Sequence, residues 1–216
     1  MTTDPRLEQA QLLYERAVFD GDETAVPAGE RVLDGVEADL ALARGRLLHA
    51  RFLEDGSEDP RELKLFERAA TLYARLGDGR GEGEALFWVG IVHQVVRDDT
   101  ERALPFFERS LALATAAGDR LTASYALRHL GFADGLAGRP DAARERLEES
   151  TRLRREIGFG PGVAANLIVL ARLAVERADR EEAEALLAEA TELAERTGAK
   201  GVLRWVAATR EELGVG

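Results

Sequence analysis

Residues Leu127 to Gly158 read LRHLGFADGLAGRPDAARERLEESTRLRREIG. Apolar positions in this stretch fall at the spacing of one helix face, twice over, and Gly158 closes it. The pattern recurs. Gly77, Gly118, Gly158 and Gly198 follow one another at spacings of 41, 40 and 40. Ahead of three of these glycines, Ala103, Phe107 and Ser110 match Ala143, Leu147 and Ser150, then Ala183, Leu187 and Ala190, in steps of 40. After three of them, Leu86, Val89 and Gly90 match Leu127, Leu130 and Gly131, then Leu167, Leu170 and Ala171. Such a period implies an array in which each unit buries its apolar face on its neighbours.

Start and stop signals along the chain mark about ten helices. The pattern predicts helices over 5–19, 29–54, 60–76, 80–97, 100–117, 119–137, 140–157, 160–177, 180–197 and 199–213. Asp4-Pro5 and Asp59-Pro60 set a capping carboxylate before a proline at the first helical position. Glu62 stands where a capping box would use it, and Asp99 and Asp179 are placed to cap in the same way. The recurring glycine suits a left-handed C-terminal cap. Pro105 falls inside a predicted helix, so a kink or a later start is expected there. Gly79-Arg80-Gly81-Glu82-Gly83 follows a helix and lacks the Lys-Ser/Thr of a phosphate loop; it reads as an inter-helix turn. No stretch alternates with period two, so no strand is expected.

These residues resemble the tetratricopeptide repeat. The family pattern places a small residue after a bulky pair on the first helix and Ala-x-x-x-bulky on the second. Leu127-x-x-Leu130-Gly131 with Ala143-x-x-x-Leu147 fits it, as does Leu86-x-x-Val89-Gly90 with Ala103-x-x-x-Phe107. Leu167-x-x-Leu170-Ala171 with Ala183-x-x-x-Leu187 is looser. The period is about 40 rather than 34, as in the longer-period arrays of bacterial regulators and kinesin-light-chain-like proteins. The family's first-helix aromatic is replaced by His93, Asp134 and Ala174. The resemblance implies an all-α, right-handed α-α superhelix, a solenoid of about ten antiparallel helices. Residues 1–58 form a degenerate acidic opening unit, and residues 59–216 hold three to four repeats plus a C-terminal capping helix, in one continuous domain.

Composition agrees. Of 216 residues, 45% are apolar and 32% charged, which fits neither a disordered chain nor a membrane protein. The net charge is -11, and residues 1–60 alone carry 14 Asp and Glu against 6 Arg. An acidic chain repels a phosphate backbone, so nucleic acid is not an expected partner. The N-terminus reads as no signal peptide and no apolar run is long enough to span a bilayer, so the expected compartment is the cytoplasm, without membrane contact. The chain has no Cys, hence no thiolate nucleophile or thiolate metal site.

The family alignment aims a set of first-helix positions at a concave groove. They include Phe87, Ile91, Tyr125, Arg128, Phe132, Ile168, Arg172 and Trp205. Aromatic and aliphatic groups with arginines at intervals suit a peptide or protein segment, or a small apolar acid gripped by Arg in two-point geometry. The competing reading buries them as core. His93 and Asp134 occupy equivalent places on neighbouring units, where a carboxylate-held His would orient a general base; a satisfied core imidazole is the plainer reading. His49, His93 and His129 lack metal-ligand spacing, and no cofactor is implied. Arg152 to Glu156 reads as a solvated helix face. The reading is therefore a non-enzymatic helical-repeat interaction protein; the alternative is a small-molecule-binding regulator or biosynthetic auxiliary using the groove as a pocket. The Tyr14 and Phe19 surface of the opening unit makes a homodimer a further expectation.

Overall fold

The computed structural model describes residues 4–215. The helices are α1 (Pro5–Phe19), α2 (Ala25–Asp55), α3 (Arg61–Leu76), α4 (Gly79–Ile91), α5 (Thr100–Ala117), α6 (Arg120–Leu136), α7 (Pro140–Glu156), α8 (Gly160–Glu176), α9 (Arg180–Thr197) and α10 (Lys200–Leu213). Among the described residues there is no strand. A short π-helical turn, Val92–Val96, continues α4. The chain divides into two compact units, Met1–Ala117 and Gly118–Gly216.

In the first unit, α1 packs on α2, α2 on α3, α3 on α4 and α4 on α5. In the second, α6 packs on α7, α7 on α8 and α8 on α9, while α10 packs on both α8 and α9. One kind of contact, a small residue facing a large one, recurs in three of the pairs. A Cβ on Gly90 would lie 2.5 Å from Cε1 of Phe107, and a Cβ on Gly131 would lie 3.2 Å from Cγ of Leu147. The opening unit uses the same device: a Cβ on Gly45 would meet Cε1 of Phe66 at 2.5 Å. The large side chains are fully buried, each removing apolar area worth about 1.5–3 kcal/mol. The small residue opposite is what admits them.

Helix ends follow the sequence. Gly77, Gly118, Gly158 and Gly198 all adopt left-handed backbone, with φ between 66° and 72°. Asp4 accepts from the Arg6 amide at 2.9 Å, Asp99 from Arg102 at 3.0 Å and Asp179 from Glu182 at 2.9 Å. The π turn explains the one irregular spacing. From Gly90 to the left-handed Asp98 is 8 residues, against 7 from Gly131 to Gly138 and from Ala171 to Ala178. A π turn accommodates one residue more than an α turn, and it sits in this interval.

Four expectations need correction. The α2 helix begins at Ala25, not residue 29, because Pro27 lies in its first turn, where a missing amide proton is tolerated. The α5 helix starts at Thr100 and carries Pro105 inside it, so the later start is not taken. Gly79 to Gly83 is not a turn but the start of α4. Its glycines answer close packing: a Cβ on Gly81 would meet Tyr73 at 2.5 Å. Glu62 completes no capping box. Its fully buried carboxylate turns inward, and Oε1 meets Nδ1 of His49 at 3.0 Å.

Candidate functional site

The repeat columns place alanine at 114 and 194 on the second helices, and both are fully buried. The matching position of α7 is Arg154. They also place buried alanines at 85 and 126 on first helices, where α8 carries Asn166. Two polar side chains thus replace column alanines in one seam of the second unit, and they meet there. Arg154 is 1% exposed; its Nη1 donates to the Gly162 carbonyl at 2.8 Å and to Oδ1 of Asn166 at 2.9 Å. Its Nε donates to Oγ of Ser124 at 3.2 Å.

Arg128, on α6, joins the same acceptor. Its Nη1 donates to Oδ1 of Asn166 at 2.7 Å and to the Ala165 carbonyl at 2.9 Å. Asn166 is held the right way round by its other end, since Nδ2 donates to Oγ of Ser150 at 2.8 Å and Oγ1 of Thr151 at 3.1 Å. Those hydroxyls donate in turn to the carbonyls of Ser124 and Leu147. Aromatic faces complete the walls. The Arg154 guanidinium lies 4.9 Å from the Tyr125 ring centroid and 5.8 Å from that of Phe159, and Arg128 lies 4.6 Å from that of Phe132.

Every acceptor in this network is neutral. No described Asp or Glu forms an ion pair with Arg128 or Arg154. Burial, then the Arg154 charge, pushes the Arg128 guanidinium down to about 9; burial pushes Arg154 down to about 10. Both values lie above neutrality, so two positive charges converge on one amide oxygen. Nη2 of Arg154 is buried and has no hydrogen-bond partner among the described residues.

The other first-helix candidates are placed as follows. Tyr125, Arg128, Phe132 and Arg172 are half-buried, and Trp205 on α10 is 56% exposed. Arg172 is committed to α10, donating to Oγ1 of Thr209 at 3.0 Å and pairing with Glu212 at 2.8 Å. Ile168 is buried in the core of the second unit. In the first unit Phe87 and Ile91 are both buried; Phe87 packs edge-on against Trp88. His93 is buried and stacks on Phe106, 5.5 Å between centroids, and burial depresses its basicity. Asp134 is buried between Arg139 at 2.6 Å and Arg146 at 2.8 Å. No described helix is long and apolar enough to cross a membrane, and no described group of three His, Asp or Glu is placed to hold a metal ion.

Arg154, Asn166 and Phe159 are not among the residues that the sequence singles out. Arg152, Arg155 and Glu156 are solvated as expected, but Arg154 is not. Its alignment with Ala114 and Ala194 is the signal that separates it from its neighbours.

A tetratricopeptide repeat family model matches residues 84–156 and 122–196. The fold is similar to that of a crystal structure of the nearly identical TPR-like repeats of a kinesin-light-chain-type protein from Podosopora anserina, with a TM-score of 0.52 and 16% identity. That match covers 82% of this chain and 94% of the other. A crystal structure of a glutamine-to-methionine variant of the same repeats matches at a TM-score of 0.52 and 15% identity, covering 84% of this chain and 96% of the other. No curated protein matches the sequence.

Proposed function

The chain belongs to the tetratricopeptide repeat family, and from that premise we propose that it is a non-enzymatic interaction protein that holds a peptide or protein segment on the first helices of its pairs. Arrays of this kind offer a preformed surface, so a partner loses little to ordering its host. One observation carries the reading. In the second unit Tyr125, Arg128, Phe132, Arg172 and Trp205 project from α6, α8 and α10 with at least part of each side chain exposed. The second helices instead bury their alanine and leucine columns completely. Aromatic and arginine side chains are the types that anchor protein interfaces. The test is affinity capture with the full chain, followed by Phe132→Ala and Trp205→Ala. Each should weaken the captured partner by about 2 kcal/mol or more. Trp205→Ala should do so with little change in melting temperature, whereas Phe132→Ala should also lower it, because Phe132 packs on the core of the second unit. Unchanged affinity in both variants would move the surface elsewhere.

We also propose a homodimer contact on the first unit. Leu12, Tyr14, Val18 and Phe19 of α1 are exposed, beside Glu8, Glu15 and Asp20. Between α2 and α3 lies a groove of about 570 Å³ lined by Leu47, Leu48 and Leu65 together with Arg44, Arg51 and Lys64. The exposed apolar side chains of α1, whose two glutamates are balanced by Arg6 and Arg16, match the apolar floor of this groove, and Glu8 and Glu15 can pair with its basic rim; the occupant is α1 of a second copy. Light scattering at high micromolar concentration should report a dimer that Phe19→Glu dissociates; a parent that stays monomeric contradicts it.

A further inference from the structure

The buried pair in the second unit is electrostatically incomplete. Two guanidiniums share Oδ1 of Asn166 at 2.7 and 2.9 Å, and like charges so close repel. Structural guanidiniums in protein interiors are ordinarily matched by a carboxylate. Here the surroundings are a Ser, a Thr, an Asn, backbone carbonyls and aromatic rings. Ring faces and amide oxygens ease a positive charge without neutralising it.

The geometry leaves donors for a missing partner. Nη2 of Arg154 is buried without an acceptor among the described residues. Arg128 makes both of its hydrogen bonds from Nη1 alone, which leaves its remaining N–H groups uncommitted. Arg128, Tyr125 and Phe132 are only half-buried, so the Arg128 end of the pair reaches the surface while Arg154 lies beneath it. The substitution pattern points the same way. Alanine at the positions matching 154 and 166 satisfies the seam in neighbouring repeats, so neither Arg nor Asn is needed to pack it.

We infer that Arg128 and Arg154 together seat one oxyanion, a carboxylate or a phosphate, with Asn166 fixing the angle between the two guanidiniums and Tyr125, Phe132 and Phe159 forming the walls. The planar fork of each arginine suits two-point bonding to either oxyanion. The seat uses side chains of the second unit only. It goes beyond the segment-binding reading and does not depend on it, since a free anion would fill it as well as one carried by a larger ligand.

The test is a thermal melt and calorimetric titration of the full chain with two probes, inorganic phosphate and butyrate, each compared with sodium chloride at matched ionic strength. At least one probe should raise the melting temperature saturably, by a few degrees beyond the chloride control. A response to phosphate alone or to butyrate alone identifies the oxyanion; a response to both supports a seat for either. Arg128→Gln keeps a hydrogen-bond donor and a folded seam but removes one charge, and should weaken binding at least tenfold. Arg154→Lys should weaken it as well, through loss of the fork. Arg152→Gln, on the exposed face of the same helix, should bind as the parent does. The inference is overturned if neither probe exceeds chloride, or if Arg128→Gln binds as tightly as the parent. It is equally overturned if Arg152→Gln weakens binding as much as Arg128→Gln does.

Discussion

Phe107 occupies the space that a side chain on Gly90 would need: a Cβ built there stands 2.5 Å from Cε1 of the ring. The two residues are one device, repeated as Phe66 with Gly45 and, more loosely, as Leu147 with Gly131. Gly90→Ala should therefore destabilise the protein by about 1–3 kcal/mol, since the ring must move within a packed seam. Adding Phe107→Leu to that variant should recover part of the loss, because leucine lies opposite alanine in the Ala171 repeat. Urea unfolding of the parent, the single variant and the double variant checks both statements. A neutral Gly90→Ala would show that the seam has slack.

Ala178 sits at φ 62°, where Gly138 holds the matching place at φ 70°. A Cβ in left-handed backbone costs roughly 1–2 kcal/mol, and glycine returns part of that through its freedom when unfolded. Ala178→Gly should stabilise the protein by about 0.5–1 kcal/mol. For a chain of this length that raises the melting temperature by about 1–4 °C. A lower melting temperature would count against the turn geometry.

Much of the fold is legible in the sequence because glycine spacing and apolar columns are set by backbone requirements that each repeat meets alone. Gly77, Gly118, Gly158 and Gly198 need left-handed backbone, and Gly90 must admit Phe107, whatever surrounds them. The misreadings share a cause. Gly79 to Gly83 reads as a turn because glycine has no helix preference, but Tyr73 packed against Gly81 demands it there. Glu62 reads as a cap because its partner, His49, is distant in sequence and on another helix. The same limit hides part of the candidate site. Arg128, Tyr125 and Phe132 fall on first-helix positions and are readable, whereas Arg154 lies among Arg152, Arg155 and Glu156 and reads as one more solvated charge. Only its column, shared with Ala114 and Ala194, distinguishes it.

The buried pair of His49 and Glu62 gives a third expectation. Glu62 is fully buried and fixed to Nδ1 of His49 at 3.0 Å. Glu62→Ala removes the partner of a buried polar ring and should cost about 1–3 kcal/mol. Glu62→Gln retains the shape and a hydrogen-bonding group and should cost less. Chemical denaturation of the two variants measures the difference, and equal losses would remove the hydrogen bond from the account.

His93 supplies a pH dependence with a definite sign. Burial, then the charges of Arg102 and Arg97, hold its pKa below the ordinary 6.5. The unfolded chain therefore takes up a proton before the native state does. This contribution to stability is intact above about pH 6.5 and is lost as the pH falls below it. His93→Phe removes the titrating group while keeping an aromatic ring against Phe106. Melting curves at about pH 7.5 and about pH 5.5, on either side of that value, should show a smaller drop for this variant than for the parent. Equal drops would assign the acid sensitivity to other groups.

The proposed seat of a partner segment is the first-helix face of the second unit, from Phe132 to Trp205. Photo-cross-linking in cells tests this, with the photoreactive residue placed at Trp205, at Phe132 and, as a control, at Arg152 on the exposed face of α7. Cross-linked peptides are then sequenced by mass spectrometry. Positions 205 and 132 should capture the same protein segment, and position 152 should not. Capture of that segment from position 152, or from neither first-helix position, would contradict this placement.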